Sequence, residues 1–573
     1  MSSNFDLVIR NGTIIDGSGG ESFEADVALK DGRIAAVGPV AGVGAEEIDA
    51  GGLIVTPGFV DIHTHYDGQA TWENHLQPST LHGVTTVVSG NCGVGFAPCR
   101  PEDHDRLIRL MEGVEDLPFP VLKAGLPWNW ESFAEYLDSL QPRRFDADIG
   151  LMLPHAALRV YVMGERGANR EPATADDIAR MAAIAEAAAD AGAMGFSTSR
   201  TLNHRTSDGQ PTPTLTAAED ELMGIALALA RAGNGAGKGV LQFVSDFADP
   251  DAEFGLMRRL CEASGRPLSF SLAQSPVAPN GWRKLLGLLE QATAAGLPMK
   301  AQVAARPVGV LLGLDLTLNP FSLHPDWPKG ASVAEQARLL ADPDFVARLV
   351  ANPPPPGNAL GTALLHRWGD MYQLGDPPNY EPLPEASLAA QAMRRGVPFE
   401  LVAAEWLCAN GGSGMIYVPF LNYADGDLDA VHAMLSHPDT VPGLSDGGAH
   451  VGMICDGSFP TTLLTHWARD RAGAKLPIEQ LVKRQARDTA LAVGLADRGL
   501  LAPGLRADLN IIDSSGLRLQ SPRVQHDLPA GGRRLMQGAH GIRVTIAGGQ
   551  ITYRDGVATG ALPGRLLRGA RPI

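Results

Sequence analysis

Apolar and polar positions near the N-terminus alternate in short bursts: Leu7-Val-Ile-Arg, Gly12-Thr-Ile-Ile-Asp, Ala25-Asp-Val-Ala-Leu and Arg33-Ile-Ala-Ala-Val. A period of two marks half-buried strands, and the turn dipeptides Asn11-Gly12 and Asp31-Gly32 separate some of them as hairpins require. The far C-terminus repeats the idiom in Ala507-Asp-Leu-Asn-Ile-Ile-Asp and in the segment from Arg543 to Gly556. Strand-rich pieces at opposite ends predict one small β-sandwich domain closed by both termini, residues 1–56 with 497–573.

Between the ends, strand and helix patterns take turns, the mark of a parallel sheet with crossover helices. Eight strand signals appear in order: the run from Ile54 to His65, Thr85-Thr-Val-Val-Ser, Asp148-Ile-Gly-Leu-Met-Leu-Pro-His155, Gly192-Ala-Met-Gly-Phe-Ser-Thr, Gly239-Val-Leu-Gln-Phe-Val, Leu268-Ser-Phe-Ser-Leu, Met299-Lys-Ala-Gln-Val and Thr440-Val-Pro-Gly-Leu-Ser-Asp446. Alanine-rich helical stretches such as the one beginning at Ala175 fill the gaps. The expected fold is α/β, a (β/α)8 TIM-like barrel over residues 57–496. Two insertions, at about 100–147 and 306–438, follow strands and belong on the C-terminal face, where barrel active sites form. The first holds Trp128 and Trp130, read as shaping a pocket; the second holds the proline run 353–356 and an aromatic segment near Trp368.

Composition narrows the class. Of 573 residues, 45% are hydrophobic and 19% charged, which is ordinary for a globular protein. The net charge of -17 and the lack of a basic run exclude nucleic acid as a natural partner. No apolar run is long enough for a membrane span, and the first residues carry no signal-peptide pattern. Five cysteines without a paired-spacing motif read as reduced thiols, so the expected compartment is the cytoplasm. Homo-oligomerisation stays open.

The chemistry concentrates where the first barrel strand ends. In Ile54-Val-Thr-Pro-Gly-Phe-Val-Asp-Ile-His-Thr-His65, residues two apart on a strand point the same way, so His63 and His65 converge on one ion while Thr64 faces away. Asp61 and Asp67 add carboxylate character. A bare His-x-His is more often a strand end than a chelate; the proline-glycine punctuation and the downstream elements reverse that weighting.

The chain resembles the amidohydrolase superfamily, and within it the D-aminoacylase or N-acyl-D-amino-acid deacylase group. The likeness rests on Pro57-Gly58-Phe59-Val60-Asp61-Ile62-His63-Thr64-His65, on Gly83-Val84-Thr85-Thr86-Val87-Val88 leading to Gly90-Asn91-Cys92-Gly93, on Leu444-Ser445-Asp446-Gly447 and on Gly504-Leu505-Arg506-Ala507-Asp508-Leu509. It implies a zinc site of His63, His65, Cys92 and Asp446, since two imidazoles, a thiolate and a carboxylate suit that cation. Asp446 resembles the aspartate that takes the proton from attacking water, and His155 a group that polarises the scissile carbonyl. Cys92 has two other readings, a nucleophile on a strand-to-helix elbow and an inert buried thiol, and both stay open here.

The departures from the family pattern matter as much. That pattern places histidines on the fifth and sixth strands, in Thr-His-x-Arg and Ser-His-x-Lys; here the aligned segments are Gln242-Phe243-Val244-Ser245 and Ser271-Leu272-Ala273-Gln274. Phe243 and Leu272 cannot bind zinc, so one ion per chain is expected. Gln242, Gln274, Lys300, Gln302 and His450 are candidates for contact with a small-molecule substrate. The resulting expectation is a zinc-dependent amidohydrolase acting on C–N bonds other than peptide bonds through metal-activated water. Its rivals are a catalytically silent scaffold and a hydrolase of a lactam, carbamate or lactone.

Overall fold

A computed structural model describes residues 4–235, 237–353 and 364–571. Pro354 to Pro356 of the proline run, and Ala236 within the Gly233–Gly239 turn, lie outside the described residues. Eight parallel strands follow one another in chain order around a curled sheet: β1 (Phe59–Asp61), β2 (Val84–Ser89), β3 (Asp148–Pro154), β4 (Gly195–Arg200), β5 (Val240–Ser245), β6 (Leu268–Ser271), β7 (Met299–Val303) and β8 (Thr440–Pro442). The ring closes just beyond the ends of β1 and β8. There Thr64 bridges Gly447, the His65 amide donates to the Gly447 carbonyl at 2.8 Å, and the Asp446 amide donates to the His63 carbonyl at 3.1 Å.

Local sequence explains the crossovers. The helix Ala175–Ala191 starts on a reciprocal cap, the Asp177 amide donating to Thr174 Oγ1 and the Thr174 amide donating to Asp177 Oδ2. It stops at Gly192, whose φ of 113° is open to glycine and hostile to a side chain. Met181, Ala182, Ala185, Ala188 and Ala189 make up its buried apolar face.

The apolar run expected to be one strand is two. Ile54–Pro57 lies in a nine-stranded terminal sheet, between Leu509–Ile512 (antiparallel) and the strand Phe5–Ile14 (parallel), and only after Gly58 does the chain enter the barrel as β1. A Cβ at Gly58 would stand 2.2 Å from Thr85 Oγ1, so only glycine lets the two sheets meet here. Strands from both ends of the chain share that sheet, and the segment 504–507 exchanges main-chain hydrogen bonds with Gly32 and Ile34.

Each insertion is structured. Residues 104–140 form three helices, and Trp130 is buried there with its indole N–H donating to the Phe96 carbonyl, so it packs the insertion down rather than lining a pocket. The second insertion carries its own three-stranded sheet, with a separate core of Val310, Leu312, Trp327, Leu349, Trp406 and Val418.

The N-terminal end of the barrel is locked by charge. The buried Arg498 donates to Asp148 Oδ2 (2.8 Å), Thr86 Oγ1 (2.7 Å) and Asp497 Oδ1 (2.8 Å), and Arg506 bridges Asp148 and Asp508. Removing one partner of a buried ion pair strands the other charge, typically at about 3–5 kcal/mol. Arg498→Met is therefore expected to lower the denaturation midpoint in a circular-dichroism melt, while Arg554→Met, at an exposed pair with Glu46, leaves it nearly unchanged. Equal melting of the two variants would contradict this lock.

Candidate metal centre

The donor atoms of His63, His65 and Cys92 lie within 4.8 Å of one another, all three residues are buried, and one ion can bridge such a spacing. His63 Nε2 is 3.3 Å from Cys92 Sγ and 3.4 Å from Asp446 Oδ1; His65 Nε2 is 3.5 Å from the same oxygen. Three chain segments from separate strand ends thus meet at the C-terminal mouth. Cys92 (φ 56°), Asp446 (φ 48°) and His450 (φ 48°) all sit in the left-handed region, a strain of order 1–3 kcal/mol each that the surrounding hydrogen bonds must hold.

Supports beneath these groups fix their direction. Asp61 accepts from Ser445 Oγ at 2.5 Å and from Ser79 Oγ at 3.4 Å, tying the end of β1 to the residues after β8. His63 Nδ1 faces Gln302 Oε1 at 2.6 Å, and Gln302 Nε2 in turn donates to Ser269 Oγ at 2.9 Å. The Cys92 amide donates to Gln242 Oε1 at 3.2 Å, and the Gly93 amide to Ser197 Oγ at 3.0 Å.

Several buried polar atoms here have no hydrogen-bond partner among the described residues: both ring nitrogens of His65, Asp446 Oδ1, Glu115 Oε1, Gln242 Nε2 and Ser271 Oγ. An unsatisfied buried polar atom costs about 1–3 kcal/mol. A cluster of them around His63, His65 and Cys92, with imidazole, thiol and carboxylate donors, fits a bound divalent cation.

Electrostatics set the donors apart. Burial holds His63 down to about 4, so it is neutral and able to ligate. Burial also lowers His65, but the charges of Glu115 and Asp446 outweigh it and raise the group to about 9. Asp446 is held below the usual carboxylate range, against the opposing effect of burial, by the imidazoles of His65, His63 and His450 beside it. Burial, reinforced by Glu115, Asp446 and Asp67, pushes the Cys92 thiol well up, opposite to the setting that activates a cysteine nucleophile.

Other expected residues go elsewhere. His155 is fully buried with Nδ1 on Thr198 Oγ1 and Nε2 on Glu221 Oε1, both at 2.8 Å, so neither nitrogen is left for a scissile carbonyl. Lys300 sits at the N-terminal end of β7, donating to the Pro438 carbonyl and Asp439, away from the mouth. Gln274 is spent on Asp425 and Ala424, fastening the second insertion to the loop after β6. Gln302 serves His63, and His450 Nε2 lies 3.4 Å from Glu115 Oε2.

The fifth and sixth strands turn Phe243 and Leu272 away from the site. Gln242, bonded to Cys92, is the interior residue of β5, so by alternation Phe243 turns outward. On β6 the interior residue bonded to Gln302 is Ser269, which puts Ser271 inside and Leu272 on the other face. Carboxamide and hydroxyls, not imidazoles, therefore line that side. The sequence reading missed Glu115, which ends the helix His104–Glu115, and His204, whose Nδ1 meets Ser199 Oγ at 2.8 Å; nearby imidazoles and burial press His204 down to about 3. Both lie outside strand motifs, where spacing carries no signal.

Comparisons with known proteins place this geometry. D-aminoacylase from Alcaligenes xylosoxydans xylosoxydans is 27% identical over 579 residues, spanning 99% of this chain and 98% of that protein. N-acyl-D-glutamate deacylase from the same organism is 28% identical over 524 residues, spanning 90% and 88%. Among solved structures, N-acyl-D-glutamate deacylase from Bordetella bronchiseptica, complexed with zinc and a phosphonate inhibitor, matches with a TM-score of 0.65 at 25% identity, over 98% of this chain and 99% of that one. The sequence model of the Amidohydrolase family matches residues 46–553, nearly the whole chain and every residue of the cluster, and the chain belongs to that family.

Proposed function

We propose that this protein hydrolyses an amide-type C–N bond in a small molecule, as a D-aminoacylase-like enzyme that uses zinc. The observation that carries the reading is the set of buried, unpartnered donors around His63, His65 and Cys92 at the barrel mouth. The relatives point the same way, being a D-aminoacylase and an N-acyl-D-glutamate deacylase, one homologue of the latter solved with zinc. His63, His65, Cys92 and Asp446 would hold the cation, which when bound acidifies water and polarises a carbonyl.

The remaining steps fall to the chain's own side chains. Asp446, ionised and with Oδ1 free, would accept the proton of the attacking water and return it to the leaving nitrogen. Gln242, its Oε1 held by the Cys92 amide, keeps Nε2 free to donate to a substrate oxygen. Gln274 stands where the resembled pattern carries a lysine and is engaged by the second insertion, so the substrate is assigned only as an amide-type carbonyl compound. The same reading takes residues 1–56 with 497–573 as one β domain and 57–496 as the barrel. A cytoplasmic site of action is proposed on sequence grounds; among the described residues no helix is long and apolar enough to cross a membrane.

Elemental analysis of the purified protein is expected to find at most one tightly bound divalent ion per chain, because the interior of β5 and β6 offers no imidazole. His63→Ala should lose that ion, and two ions at full occupancy would contradict the site as drawn. In a metal-supplemented screen of N-acyl-amino acids, lactams and carbamates, Asp446→Asn should cut turnover by about 10²–10⁴-fold, the usual cost of removing a general base. Wild-type turnover by the metal-loaded Asp446→Asn variant would instead leave Cys92 as the group to test.

A further inference from the structure

Glu115 sits where elementary electrostatics argues against a carboxylate. It is the last residue of the helix His104–Glu115, at the negative end of the helix dipole, and is 1% exposed. Among the described residues its ion-pair partners are two imidazoles: Oε1 lies 3.4 Å from His65 Nδ1, and Oε2 lies 3.4 Å from His450 Nε2. Among the described residues no lysine or arginine pairs with it. A buried carboxyl group without a fixed cation keeps its charge only when its neighbours give it protons to share.

The surrounding chain is built to keep it in place. Asp116 follows in the left-handed region (φ 50°), and its carboxylate accepts from the Gly452 amide at 3.2 Å and from Thr317 Oγ1 at 3.0 Å. The His450 amide donates to the Glu115 carbonyl. The helix end is thereby fastened to the same loop that carries Asp446, and to the second insertion.

Compare the two histidines of the His-x-His pair. His63 turns Nε2 toward Cys92 and Asp446 and has Nδ1 on the carboxamide oxygen of Gln302. His65 turns Nε2 toward Asp446 and Nδ1 toward the carboxyl group of Glu115, whose Oε1 stands 3.4 Å away, close enough to receive the ring proton though longer than the Gln302 contact. Each ring thus presents the same nitrogen to the site and has an acceptor behind it, and a ring with an acceptor at Nδ1 carries its proton there and its lone pair on Nε2.

We propose that Glu115 is a positioning residue of the metal site, holding His65 in the tautomer that points its Nε2 lone pair at the cation while its second oxygen anchors His450 at the mouth. The inference rests on the metal reading above. It makes the first insertion part of the site, and no strand motif contains this residue.

The test uses the full-length protein and zinc alone, with affinity measured by competition against a chromophoric chelator and apo-protein melting measured in parallel. Losing an acceptor of this kind costs about 10–100-fold in metal affinity. Glu115→Ala should show a loss of that size with an apo melting temperature within a few degrees of wild type. Glu115→Gln should fall between the two, because its single carboxamide oxygen can accept from His65 and not from His450 as well. Wild-type zinc affinity in folded Glu115→Ala would overturn the proposal, as would losses in both variants that merely track their melting temperatures. Failure of the wild-type protein itself to bind zinc would sink the metal reading and this inference with it, an outcome separable from the others.

Discussion

Closure of the barrel between its first and last strands is the constraint on which the site depends. The short bonds linking residues 63–65 to 446–447 bring His63, His65 and Asp446 together, and Asp61 cements the joint through Ser445. Gly58 makes that closure accessible, since any larger residue would strike Thr85 and displace β1 from the ring. Sequence, sheet order and site are in this sense one statement.

What the joint assembles is expensive without a ligand. Imidazole nitrogens and one oxygen each of two carboxyl groups lie in the interior with no hydrogen-bond partner among the described residues, each at a cost of about 1–3 kcal/mol, while Cys92, Asp446 and His450 hold left-handed backbone. A folded protein retains such a cluster when the groups face something that satisfies them. The carboxamides of Gln302 and Gln242 and the hydroxyls of Ser197 and Ser269 stand behind the cluster, orienting it before any ligand arrives.

Much of this was legible from the residues alone. Alternation and glycine punctuation located all eight barrel strands, and the two-residue spacing of His63 and His65 correctly predicted their convergence. Three things were not legible. A strand buried on both faces does not announce which face is interior, and only the bonds of Gln242 to Cys92 and of Ser269 to Gln302 show which residues of β5 and β6 face the site. A strand-end histidine such as His155, or a polar side chain such as Gln274 or Lys300, is recognised as engaged only when its partners from distant segments are seen. Glu115 enters from the end of a helix and His204 from a loop, where their position follows from tertiary packing and not from any period.

The most direct test of the account is diffraction from crystals of the zinc-supplemented protein, with data collected on both sides of the zinc absorption edge. The account predicts one anomalous peak enclosed by His63, His65, Cys92 and Asp446, and none beside the interior residues of β5 and β6. An empty map at that position, or a second peak of equal height against Gln242 and Ser271, would contradict it.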